Sequence, residues 1–162
     1  MDLEQLPHLA KEQKKSTKKF FQKLAKQKPK GLDLTVHQLH DETFEKIDCL
    51  KCANCCKTTS PIFTDRDINR ISAHFKMRPA NFVDKYLHLD EDEDYVLNEA
   101  PCSFLGADNY CSIYDVAPRA CREYPHTDRK QFHKILNLTV KNMAICPAVF
   151  EIVQKLKEVK NW

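Results

Sequence analysis

Apolar residues recur at helical spacing along most of this chain. Leu3, Leu6, Leu9, Ala10, Phe20, Phe21 and Leu24 stand among lysines and glutamines, which predicts an amphipathic helix over residues 3–27 with room for a break in its middle. Pro29-Lys30-Gly31 ends it. Val36, Leu39, His40, Phe44 and Ile47 repeat at i, i+3, i+4 and predict a second helix that leads into Cys49. Pro61-Ile62-Phe63 reads as extended. Thr64 followed by Asp67 has the form of a helix N-cap, although the third position usually carries Glu or Gln. The helix it starts places Ile68, Ile71 and Phe75 on one face. Pro79 suits the first position of a short helix that turns Phe82, Val83, Tyr86 and Leu87 inward. An acidic turn over residues 90–94 then precedes a short strand, Tyr95-Val96-Leu97.

Residues 100–127 lose this regularity and carry Pro101, Gly106, Pro118 and Pro125. Periodicity returns with Phe132, Ile135, Leu136, Val140 and Met143. After Cys146-Pro147, the positions Phe150, Val153, Leu156 and Val159 predict a final helix through Lys160. The expected fold is mostly α: a small helical domain with metal-bearing cysteine loops and little or no sheet. Residues 1–46 read as a basic helical segment and residues 47–162 as a cysteine-cluster metal-binding domain.

The length, 162 residues, suffices for one domain with a real core. Only Gly31 and Gly106 are glycine, which argues against a hairpin-rich fold and a phosphate-cradling loop. The net charge of +3 is uneven, because residues 1–30 hold nine lysines against Asp2, Glu4 and Glu12. Such an arm can touch nucleic acid, an acidic partner or a membrane surface, but a solvated helix face is the plainer reading. No apolar run approaches the roughly 18 residues that span a bilayer. The first residues also lack the apolar core of a signal peptide. A reducing cytoplasm is therefore the expected setting, and there disulfides rarely persist.

That setting directs the reading of eight cysteines: Cys49, Cys52, Cys55, Cys56, Cys102, Cys111, Cys121 and Cys146. The first four form C-x2-C-x2-C-C. Cysteines at three-residue intervals fold a loop around one centre, so that several thiolates converge on it. The spacing matches the first three ligands of a bacterial ferredoxin cluster, and C-x2-C is equally half of many zinc sites. Four thiols in eight residues are an oxidation hazard unless a metal holds them as thiolates. All eight are candidate ligands for zinc or iron, with an iron–sulfur cluster among the options. Eight ligands can hold two ions, one cluster with spares, or two clusters. A C-x2-C redox pair is disfavoured because no βαβ pattern surrounds it.

At these residues the chain resembles the YkgJ-like cysteine-cluster family, a zinc- or iron-chelating domain. The likeness spans roughly residues 47–155. It rests on Cys49 to Cys56, then Pro101-Cys102-Ser103-Phe104-Leu105, Cys111-Ser112-Ile113-Tyr114, Pro118-Arg119-Ala120-Cys121-Arg122-Glu123-Tyr124-Pro125 and Cys146-Pro147-Ala148. Three positions depart from the family habit: Ala53 replaces a frequent glycine, Ser103 a common proline and Ala117 the usual arginine. The resemblance implies chelation rather than a reaction. Related flagellin lysine N-methylases carry a similar module with an iron–sulfur centre, but this chain shows no fingerprint for S-adenosylmethionine.

Arg119 and Arg122 flank Cys121, where they can hydrogen-bond sulfur, hold an anion, or pair with Asp115 or Glu123. Tyr114 and Tyr124 read as packing residues. His126 and His133 allow a mixed site, which eight cysteines make unnecessary. Asp65 and Asp67 fit helix-start electrostatics. Three function classes follow. The first is a metal module whose ion is structural, redox-active or sensing. The second is a metal-dependent oxidoreductase or protein-modifying enzyme. The third is an interaction protein that uses its basic N-terminal helix. No nucleic-acid module is present, which ranks nucleic acid last among partners.

Overall fold

The computed structural model describes residues 2–160. Its helices are α1 (Leu6–Gln27), α2 (Leu32–Phe44), α3 (Cys49–Cys52), α4 (Asn54–Thr58), α5 (Asp65–His74), α6 (Pro79–Tyr86), α7 (Arg119–Glu123), α8 (Leu136–Asn142) and α9 (Pro147–Glu158). Strands β1 (Leu87–Leu89) and β2 (Tyr95–Leu97) form an antiparallel pair. The fold is mostly α, as the apolar periodicity predicts, and the named strands make one two-stranded sheet. No helix among the described residues is long and apolar enough to cross a membrane. The chain gathers into two compact units. One runs up to Cys49 and resumes at Pro125, and the other comprises Leu50–Tyr124.

In the first unit α1 is a single unbroken helix of 22 residues. The expected break is absent because fully buried Thr17 fills the gap between Ala10 and Phe21 in the apolar stripe. Lys28 then turns left-handed and its N–H caps Leu24 O. The second helix starts earlier than its periodicity implies, at Leu32, which is buried in its own right. α2 and α9 pack together, and α1 rests on α8 and α9. α9 buries a broad face through Ala148, Val149, Ile152, Val153 and Leu156, each fully enclosed. It ends at Glu158, two residues short of the expected limit, because Val159 is extended. Asp33 of α2 holds the segment before α8. Its carboxylate accepts the N–H groups of Gln131 at 2.7 Å and Phe132 at 3.0 Å. Phe132 is fully buried edge-on to Phe21, with ring centres 6.4 Å apart.

The second unit is built on Phe63, Ile68, Ile71, Phe82, Leu87, Leu97, Phe104 and Ile113. Phe82 and Phe104 stack at 6.2 Å, and Phe75 joins both. Thr64 caps α5 with a full capping box, Asp67 serving where Glu or Gln is usual. Pro79 opens α6 as expected. Leu87 is buried but belongs to β1, where it pairs with Leu97. Phe63 extends the hairpin by a bridge to Tyr95, its N–H donating to Tyr95 O at 2.8 Å. Cys102, Cys111 and Val116 pack against this core and so couple the cysteine loops to it.

Candidate metal centre

The short helices α3 and α4 present the first four cysteines. Between them Ala53 takes φ 45° and ψ 20°, a left-handed conformation that costs a residue with a Cβ about 1–2 kcal/mol. A glycine would adopt this conformation at less cost. Cys49 and Cys52 occupy the two ends of α3; Cys49 is exposed and Cys52 half-buried. Cys55 and Cys56 are consecutive on α4, with their sulfurs 4.0 Å apart.

The irregular stretch after residue 100 brings distant cysteines to Cys56. Cys102 donates its N–H to Cys56 O at 2.8 Å. Leu105 and Cys111 form an antiparallel bridge that closes a tight turn. Gly106 suits the close approach in this turn, since a Cβ there would lie 2.6 Å from Asp108 Oδ1, which would have to shift, and 3.2 Å from Tyr110 O. Ser112 fixes the next step, donating its N–H and Oγ–H to Phe104 O at 2.8 and 3.1 Å. Asn109 Nδ2 donates to Lys51 O at 3.3 Å, tying the turn to α3.

Cys121 arrives on α7. The start of α7 is held by α5, where Asp67 Oδ1 accepts the Arg119 N–H at 3.0 Å and an Arg70 guanidinium N–H at 2.6 Å. Arg70 also donates to Val116 O at 3.3 Å and Ala117 O at 2.8 Å. Burial opposes ionisation of Asp67, but donors from Thr64, Arg70 and Arg119 outweigh it and hold the carboxyl below its ordinary range. The sequence assigns Asp67 only to the helix start. Its spacing to Arg70, i and i+3 on one helix, is the signal that foretells their pairing.

The thiols feel one another. The Cys56 thiol is pushed far up by its bond to Cys55, by burial and by the charge of Cys55, against a smaller pull from Lys57. Burial and the charges of Cys56 and Cys111 raise Cys102, while the N–H groups of Phe104 and Leu105 oppose this. Cys111 is raised by burial and Cys56, and the Ile113 N–H opposes. Cys121 leaves surface open to solvent, yet surrounding atoms exclude enough water to push its thiol up to about 12, with Cys56, Cys102, Cys111 and Asp67 adding to the shift. Cys56, Cys102, Cys111 and Cys121 therefore share one electrostatic neighbourhood. A divalent cation there would convert mutual repulsion into attraction and hold the thiolates. Backbone N–H donors aimed at Cys102 and Cys111 favour the same ionised form. By donor chemistry this set fits zinc or iron. Among the described residues no three or more His, Cys, Asp or Glu side chains are arranged to hold a metal ion, and the four thiols are linked by their mutual electrostatic influence.

Cys52 and Cys55 lie in the same unit as these four, whereas Cys49 and Cys146 belong to the first unit. Cys146 is buried at the start of α9, its N–H bonded to Asn142 O at 2.8 Å. His126 and His133 also fall in the first unit. Arg119 pairs with Glu123 at 2.5 Å on an exposed face, the surface alternative among its expected roles. Tyr114 is exposed rather than packed.

Residues 48–140, more than half of the chain, match the family model CxxCxxCC, described as "Putative zinc- or iron-chelating domain". The chain belongs to this family. The CxxCxxCC match contains seven of the eight cysteines, and Cys146 lies beyond it. No curated protein and no solved structure matches the chain.

Proposed function

We propose that the CxxCxxCC domain of this chain binds zinc or iron through the thiolates of Cys56, Cys102, Cys111 and Cys121, in a reducing cytoplasm. Cys52 and Cys55, in the same unit, are the next ligands. Cys49 and Cys146 stay candidates on their sequence pattern. Membership in the chelating family, together with the mutual electrostatic influence of the thiols of Cys56, Cys102, Cys111 and Cys121, supports this reading. Zinc would make the centre structural and redox-silent, whereas iron would add electron transfer or sensing. The residues themselves hold and orient sulfur, and Phe104, Leu105 and Ile113 donate to it.

The test is elemental analysis and an absorption spectrum of protein purified without oxygen. Bound zinc in a colourless sample, or iron with visible absorbance, is expected. Folded protein holding neither metal, and binding neither when both are supplied, overturns the reading.

A further inference from the structure

The carboxylate of Asp67 does more than a helix cap requires. A capping box engages one oxygen, and here Oδ2 fills that role, accepting from Thr64 N–H at 3.1 Å and Thr64 Oγ–H at 2.6 Å. Oδ1 is left over, and it takes Arg70 and the Arg119 N–H. Through these two side chains α5 grips three points on the approach to α7: Val116 O, Ala117 O and Arg119 N–H. Cys121 is referenced to the same frame, since its N–H bonds Pro118 O at 3.0 Å. α7 has only five residues, too few to hold its shape alone. Its direction, and hence the place of the Cys121 sulfur, is imposed by the grip. Asp67 is 1% exposed, so this charge is enclosed with all its partners on hand.

We propose that Asp67 and Arg70 are positioning residues that fix Cys121 within the thiol cluster and thereby set its affinity for metal. The inference rests on the metal-binding reading above. Asp67 touches backbone and guanidinium, not the ion, and acts as an outer-shell support for one ligand.

The experiment measures zinc affinity by chelator competition, and thiolate number from the absorption of the Co2+-loaded protein. The parent is compared with Asp67→Asn, Arg70→Gln, Thr64→Ala, Cys121→Ser and the double variant Asp67→Asn/Cys121→Ser. Loss of outer-shell support costs about 10–100-fold in affinity, the fall expected for Asp67→Asn and Arg70→Gln. Thr64→Ala loosens the same cap but spares the Oδ1 contacts, so it should stay near the parent. In the Cys121→Ser background Asp67→Asn should add no further loss, because the ligand it positions is gone. Arg70 is partly exposed, so its variant keeps the test alive if Asp67→Asn does not fold. Parental affinity in a folded Asp67→Asn or Arg70→Gln protein overturns the inference, as does a loss that persists undiminished beside Cys121→Ser. A parent that binds no zinc or cobalt overturns the metal reading itself, and this inference with it.

Discussion

Phe104 joins the core of the second unit to its cysteine loops, and Phe104→Ala should disable both. The ring is 4% exposed and lies 5.8 Å from Phe75, 6.2 Å from Phe82 and 5.1 Å from Tyr86. Its backbone serves the site, with the N–H directed to Cys102 and the carbonyl accepting both donors of Ser112. Removing a buried phenyl costs about 3–5 kcal/mol, the ring pairs being part of that figure. A domain of ordinary stability, about 5–15 kcal/mol, loses a large share of it. With a urea slope of about 2 kcal/mol per molar, the unfolding midpoint falls by about 2 M. The assay is urea unfolding followed by far-ultraviolet circular dichroism under anaerobic conditions, with and without zinc. Zinc should recover part of the loss, because it binds only the folded cluster. Phe104→Leu, which keeps most of the volume, should cost about 1 kcal/mol. A cost below about 1 kcal/mol for Phe104→Ala would refute the argument that this ring anchors the unit.

Cys56→Ser should lower bound metal and thermal stability together, since metal affinity is part of folding free energy here; unchanged stoichiometry by elemental analysis would remove Cys56 from the ligand set. Cys52→Ser should do the same if Cys52 is a ligand, and should leave metal content alone if it is only a neighbouring thiol. The depressed carboxyl of Asp67 stabilises the fold in full above the ordinary carboxylate range, and that contribution is lost as pH falls through the depressed value. Asp67→Asn should therefore flatten the acid limb of stability in metal-free protein, and an acid limb identical to the parent's would show that the carboxylate contributes nothing.

Local signals carried most of the helical fold. Pro79 and Pro147 open α6 and α9, and Thr64 with Asp67 opens α5, because these residues act on the backbone beside them. What depended on distant partners was hidden. Thr17 is polar by type, yet its enclosure keeps α1 continuous. Leu87 fitted the inward face of a helix equally well, and its pairing with Leu97 decided for strand. The grouping of Cys56 with Cys102, Cys111 and Cys121 could not be read from spacing either. The spacing of Cys49–Cys56 predicts one loop, whereas a left-handed Ala53 and two short helices set their positions. Asp67 is legible in the sequence only as a helix-start residue, and the hold that it and Arg70 keep on Val116, Ala117 and Arg119 spans about fifty positions of sequence and needs the fold.

The first unit is assembled from both ends of the chain, with the principal packing partner of α2 some hundred residues downstream in α9. During synthesis Leu50–Tyr124 emerges from the ribosome ahead of α9, and domains fold as units when their sequence emerges. The expected order is thus cargo first and closure afterwards, with the apolar stripe of α2 waiting for its mate. Nascent chains stalled once α7 has cleared the tunnel should already retain metal; empty ones would place loading after release.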